Sequence, residues 1–203
     1  MTNRRLVRII ASLAAGSIGV AIGLYLGWFA AAGLQAARIF ATRNQLSLGA
    51  IALITETVRW AFIGLIGGSG LAFTVVNQRR LVFILASILG FALGGALTAL
   101  LVFGNLNRNA ASATLGVPLG GALAGLLSGL GARLGIRSVL MLIVTALAMV
   151  IGGLFIDPRS PGILPSPLRL GLTDWIALLA PGALIGAALA VLAPDNGDAP
   201  SPR

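Results

Sequence analysis

The sequence predicts an all-α fold: a polytopic bundle of six transmembrane helices held together by glycine-rich helix–helix contacts. Three observations predict it. Of the 203 residues, 58% are hydrophobic and 9% charged, against about 25% charged in a soluble domain. The polar surface needed to cover a globule in water is missing. The apolar residues fall in repeated runs of about 20, the length that crosses a hydrocarbon core. The basic residues behind the net charge of +9 stand in short clusters at the ends of those runs, where membrane proteins use them for orientation. That placement argues against a nucleic-acid footprint, and the runs leave no room for a soluble catalytic domain.

The first span is expected at about 9–32, after the basic start "MTNRRLVR". Its apolar run is longer than the core of about 7–15 residues in a signal peptide, so an uncleaved helix is the reading. The segment "LQAARIFATRNQLSLGAIALI" is interrupted by Arg38 and Arg43 and reads as an interfacial helix or a connection into the second span. The second span is expected at 57–77, stopping at Arg79 and Arg80, and the third at 81–103. The polar turn "NLNRNAAS" leads to a fourth at 110–132, which ends near Arg133 and Arg137, and a fifth follows at 139–156. "DPRSPGILPSPLRLG" holds four prolines in fifteen residues and cannot be a regular helix. The sixth span is expected at 174–193, and the proline-rich tail 194–203 reads as disordered.

Six spans put both termini on one side. With that side cytoplasmic, Arg4, Arg5, Arg8, Arg79, Arg80, Arg133, Arg137 and Arg203 lie within. Arg38, Arg43, Arg108, Arg159 and Arg169 lie outside, with Arg59 near that boundary. The cytoplasmic set hugs the helix ends, where the positive-inside bias is strongest. Trp28, Trp60 and Trp175 all fall at the expected outer boundary, the zone indole rings prefer. The expected location is therefore the cell inner membrane, in multi-pass form.

Glycine supplies the packing pattern. Gly19, Gly23 and Gly27 recur at intervals of four in the first span, and Gly121, Gly125 and Gly129 in the fourth, beside Gly116 and Gly120. The third carries Gly90 and Gly94, the sixth Gly182 and Gly186. An interval of four puts small residues on one helix face and lets another backbone approach closely. "LGGALTALL" (93–101) and "LGGALAGLL" (119–127) match at seven of nine positions. They join the third and fourth spans, which are not equivalent members of two halves, so coincidence is the better account. Pro118 and Pro181 are expected a turn or two inside the outer ends, where proline is best tolerated.

Absences restrict the chemistry further. There is no Cys and no His, and all fourteen basic residues are arginine. Thiolate and imidazole metal or haem ligands, an imidazole general base and a lysine Schiff base are all missing. No catalytic residue, metal or cofactor is therefore expected.

The stretch "TETVRWAFIGLIGGSG" (55–70) carries two candidate features. Gly67-Gly68-Ser69-Gly70 has the form found around the nucleophile of some intramembrane serine proteases. A serine nucleophile needs a base, and none lies within reach, so Ser69 is read as a small residue in a helix contact. Glu56 and Arg59 share a helix face at i,i+3. With Trp60 beside them they read as an anchor at the outer boundary. A transporter would instead use the only polar cluster in the spans: Thr55, Glu56, Thr57, Arg59, Ser69 and Thr74.

In size and helix count alone the chain is similar to the membrane substrate-binding subunits of vitamin transporters, an analogy of architecture. The functional expectation is a non-catalytic inner-membrane protein acting through helix packing, as a subunit of a larger complex. The alternative is a small-solute transporter or channel, or the substrate-binding subunit of one. The expected partners are the lipid bilayer, other membrane subunits or a second copy, and no nucleic acid.

Overall fold

The computed structural model describes residues 3–41, 48–75, 79–103, 110–155 and 172–193. Among them the chain forms six α-helices: α1 (Asn3–Ala41), α2 (Leu48–Thr74), α3 (Arg80–Phe103), α4 (Ala110–Gly131), α5 (Ser138–Phe155) and α6 (Leu172–Leu192), with a single 3-10 turn at Gly135–Arg137. No strand occurs among the described residues. Within α1, α2 and α3, the stretches Asn3–Leu34, Ala50–Thr74 and Arg80–Leu101 are long and apolar enough to cross a membrane, and shorter apolar helices cover Leu115–Gly131, Gly135–Ile151 and Leu178–Leu192.

Each helix packs on the next in the chain, and α6 closes on α1, so the six form a ring. The contacts run antiparallel. Gly19 faces Gly67, Gly23 faces Ile63 and Gly27 faces Arg59, one helix rising by four residues as the other falls by four. Gly90 and Gly94 meet Ala124 and Gly120 in the same way, as do Gly16 and Ser12 with Gly182 and Gly186. Alternation gathers the starts of α1, α3 and α5 and the ends of α2, α4 and α6 at one end of the bundle. Arg4, Arg5, Arg8, Arg79, Arg80, Arg133 and Arg137 all stand there.

The core runs down the middle of this ring through Val20, Ile63, Leu71, Phe83, Phe91, Met141, Ile185 and Leu189. The outside carries exposed Leu, Ile, Val and Phe on every helix whose exposed residues include large side chains, from Leu6 on α1 to Val191 on α6. An apolar exterior around an apolar core is the pattern of a bundle solvated by lipid rather than water.

Two helices depart from the sequence reading. Helix α1 continues to Ala41 and α2 begins at Leu48, so 34–41 and 48–56 extend the two helices where an interfacial helix or a connection was expected. For α1 the reason is that Arg38 interrupts a hydropathy window without interrupting a helix, since arginine's helix propensity is near that of leucine. Consequently Glu56 lies about 12 Å, and Arg59 about 16 Å, inside α2 at 1.5 Å per residue. Pro181 stands about two and a half turns into α6, deeper than expected, and is buried beside Gly182. The proline-rich 157–171 and the tail 194–203 lie outside the described residues, as do 105–109 of the "NLNRNAAS" stretch, whose last three residues open α4.

Candidate functional site

Helix α2 presents its polar residues on successive turns, and the structure divides them into two groups. Glu56, Arg59 and Trp60 come together. The Arg59 Nη1 donates to Glu56 Oε1 at 3.3 Å, and the Trp60 Nε1–H donates to Glu56 Oε2 at 3.2 Å. Glu56 thus accepts from both partners on one helix face, the i,i+3 and i,i+4 geometry its position dictates. Ser69 is half-buried about 20 Å further along the helix axis, and Thr74 is about 27 Å away at the arginine end. Thr74 donates back to Leu71 O at 3.2 Å and Thr57 back to Leu53 O at 2.6 Å. Neither hydroxyl joins the Glu56 group. Thr55 is buried.

The surroundings of Trp60 differ from those of an indole on the outer face of a bundle. It is 4% exposed, its ring centroid is 6.3 Å from that of Phe91, and a Cβ added to Gly95 would lie 2.7 Å from Trp60 Cγ. It is a core residue wedged against α3 rather than one turned to the outside of the bundle. The sequence could not show this, because the space that admits the indole is made by a glycine on another helix. Trp28 is half-buried and meets Phe29 edge-on at 5.1 Å, while Trp175 is exposed on α6. Arg59 packs its backbone on Gly27, and its Nε is buried without a hydrogen-bond partner among the described residues. The turn is therefore built into the contacts of α2 with both α1 and α3.

The glycines singled out by spacing sit where backbones meet. A Cβ at Gly19 would lie 2.9 Å from Gly67 Cα, and one at Gly23 2.8 Å from Ile63 Cα. One at Gly27 would run into the Arg59 carbonyl, and one at Gly94 into that of Gly120. At Gly90 it would be 3.0 Å from Ala124 O, and at Gly129 3.0 Å from Ser138 Cα. At Gly121 it would be 2.7 Å from Met149 Cγ, and at Gly125 2.7 Å from Thr145 Cβ. Gly182 and Gly186 close on Gly16 and Ser12 through backbone carbonyls. Spacing alone overlooked Gly16, Gly64, Gly68 and Gly95, although Gly64 and Gly68 share the interval of four. Thr98 ties two of these helices by donating to Gly94 O at 2.9 Å and Gly116 O at 3.0 Å.

At the centre, where all six helices contribute a wall, lies a cavity of about 10 Å³, the space of one water. Its lining is apolar or glycine except for Ser87 and Ser128. At the arginine end, Arg8 donates from Nη2 to Ala190 O at 2.6 Å and to Ala193 O at 3.0 Å, and Arg137 from Nη1 to Leu192 O at 3.1 Å. These bonds satisfy carbonyls left open by the last turn of α6 and set positive charge against its negative end. Among the described residues no group of His, Cys, Asp or Glu could hold a metal ion.

No family model matches this chain, and neither does any curated protein or solved structure.

Proposed function

We propose that the chain is a non-catalytic, six-span protein of the cell inner membrane, with both termini cytoplasmic, that acts through helix packing as a subunit of a larger membrane complex. The observation that carries this reading is the filled centre of the ring. A space of about 10 Å³ lined almost wholly by apolar groups offers a solute neither room nor polar partners. The exterior, by contrast, is apolar on all sides and suited to lipid and to other spanning helices. Reporter fusions after Arg80 and Arg137 should read cytoplasmic, and one after Arg108 periplasmic; export of the Arg80 fusion would overturn the topology. Mass spectrometry of gently extracted protein should find co-purifying subunits in constant ratio. A chain that always emerges alone would count against the subunit reading.

A second reading, a small-solute transporter or channel, is favoured by one observation. Counting from Arg8 to Gly27 on α1 and from Arg80 to Gly95 on α3 places the Glu56–Arg59 turn about 22–28 Å from the arginine end. In a hydrocarbon core of about 30 Å that depth sets the two charges just inside the far edge, and ionisable groups within the apolar zone mark functional sites by default. On this reading Arg59 recognises an anionic solute, and its loss abolishes binding while the fold survives.

A further inference from the structure

The two turns at the arginine end share an unusual backbone choice. Helix α4 ends with Arg133 N–H bonded to Leu130 O at 2.9 Å and Leu134 N–H bonded to Gly129 O at 3.1 Å. This is the Schellman arrangement, whose left-handed residue is ordinarily glycine. Here it is Arg133, at φ 56°. The turn between α2 and α3 holds Arg79 at φ 61°. Gly135, two residues beyond Arg133, has the same φ of 56°, so the chain uses glycine for this conformation within the same turn. An arginine in the left-handed region strains its Cβ against the backbone. Both side chains are exposed, so packing in the core does not offset the strain.

The two turns are neighbours. The Phe83 N–H bonds to Arg79 O at 3.2 Å, and Phe83 Cα lies 3.4 Å from where a Cβ on Gly131 would sit. Arg133 follows Gly131 by two residues. Around them Arg8 and Arg137 are engaged on the end of α6, and the Arg80 guanidinium lies 5.1 Å from the centre of the Phe73 ring. No acidic residue stands at this end among the described residues. Interleaved with the arginines are bare apolar side chains, Leu81 at 68% and Ile136 at 85% exposed.

We propose that Arg79 and Arg133, flanking the α3–α4 contact, bind the phosphate of an anionic phospholipid whose acyl chains lie along Leu81 and Ile136. The proposal rests on the membrane reading above. Guanidinium forks match phosphate oxygens in pairs, which explains why arginine holds positions that glycine would fill without strain. The adjoining apolar side chains select a lipid over free phosphate, since a soluble anion has no use for them.

The test uses the full chain in nanodiscs of phosphatidylcholine, with or without phosphatidylglycerol, and in detergent with inorganic phosphate. Thermal stability and retained lipid, the latter by native mass spectrometry, are the readouts. Phosphatidylglycerol should stabilise the wild type and remain bound, whereas inorganic phosphate should do neither. The double variant Arg79→Gly/Arg133→Gly relieves the backbone. It should match or exceed wild-type stability in phosphatidylcholine while binding phosphatidylglycerol roughly thirtyfold more weakly, as expected from the weight of each arginine at an anionic surface. Arg79→Asn/Arg133→Asn, which also tolerates this conformation, provides the same comparison if the glycine variant does not fold. Arg4→Gln/Arg5→Gln removes equal charge elsewhere and should keep most of the binding. Equal losses in the two double variants would reduce the effect to diffuse attraction and overturn the site. A wild type indifferent to phosphatidylglycerol, or stabilised as much by phosphate, would overturn it too. Failure to enter nanodiscs at all would instead strike the membrane reading itself.

Discussion

Around the ring, five of the six helix contacts are made through glycine: α1 with α2, α2 with α3, α3 with α4, α4 with α5, and α6 with α1. Between α5 and α6 no contact through glycine appears among the residues whose side-chain surroundings are described. Met141 and Ala148 on one side and Ile185 and Leu189 on the other belong instead to the common core cluster. The two kinds of contact are held differently. Lipid supplies no hydrophobic drive between helices, so association depends on how closely surfaces fit. A glycine contact fits because two backbones touch, and a backbone cannot rotate out of the way. A contact of long side chains fits by choice of rotamer and can be refilled. Where its side chains are described, the α5–α6 contact is thus the compliant one, and the other five fix the shape of the bundle.

The strongest way to break this contrast is to put the same side chain on each kind of contact. Gly23→Leu and Gly125→Leu should each destabilise the bundle by about 3 kcal/mol or more, at or beyond the upper end of the usual cost of overpacking. The reason is that the obstacle at Gly23 is the Ile63 Cα and the Phe62 carbonyl, and at Gly125 the Met141 carbonyl beside Thr145. Thermal unfolding in mild detergent, with size-exclusion of the product, measures it. Unchanged stability in both variants would mean these faces do not hold the helices together.

The compliant contact should respond less. Leu189 is fully buried, yet Leu189→Ala should cost about 1–3 kcal/mol, near or below the low end of Leu→Ala losses in water-soluble cores. In a membrane the unfolded helix leaves its leucine in lipid, so the transfer part of the loss shrinks and the cavity part remains. Leu189→Met should cost under about 1.5 kcal/mol. If Leu189→Ala proves as damaging as Gly125→Leu, the distinction between the two kinds of contact collapses.

Much of this arrangement was legible in the sequence, and the gaps have physical causes. Helices α3 to α6 begin and end within about two residues of the apolar runs, because arginine pairs, prolines and polar turns bound those runs. Gly121, Gly125 and Gly129 share one helix face by their spacing, and each stands against α5. The start of α2 was hidden because hydropathy falters at Thr55 and Glu56, although glutamate is a good helix former. The burial of Trp60 was hidden for another reason. The preference of indole for interfaces describes tryptophans that face lipid, and here Glu56 satisfies the N–H from one turn away. Whether such a ring turns inward depends on Gly95 and Phe91, which only the fold brings to it. The closure of α6 on α1 is likewise long-range, and no local pattern encodes it.

The smallest expected effect concerns Trp60 and Arg59, which lie where the glycine rule meets a polar turn. Trp60→Phe keeps an aromatic ring against Phe91 and removes the bond to Glu56, and it should cost about 1 kcal/mol, the usual net worth of one hydrogen bond. Arg59→Ala should cost less than about 1 kcal/mol. Its ion pair with Glu56 is long at 3.3 Å and its side chain is 33% exposed, so solvent or headgroup screening leaves little of the Coulomb attraction. The contact that matters at this position is made by the backbone, against Gly27, and alanine preserves it. Gly27→Ala should therefore be the more damaging of the two neighbouring changes, although it alters no charge. A thermal scan of Arg59→Ala beside Gly27→Ala checks the order. The reverse order would place the strength of this turn in its charges. A folded Arg59→Ala protein that has lost a measurable anionic ligand would favour the transporter reading, because packing alone gives no reason for such a loss.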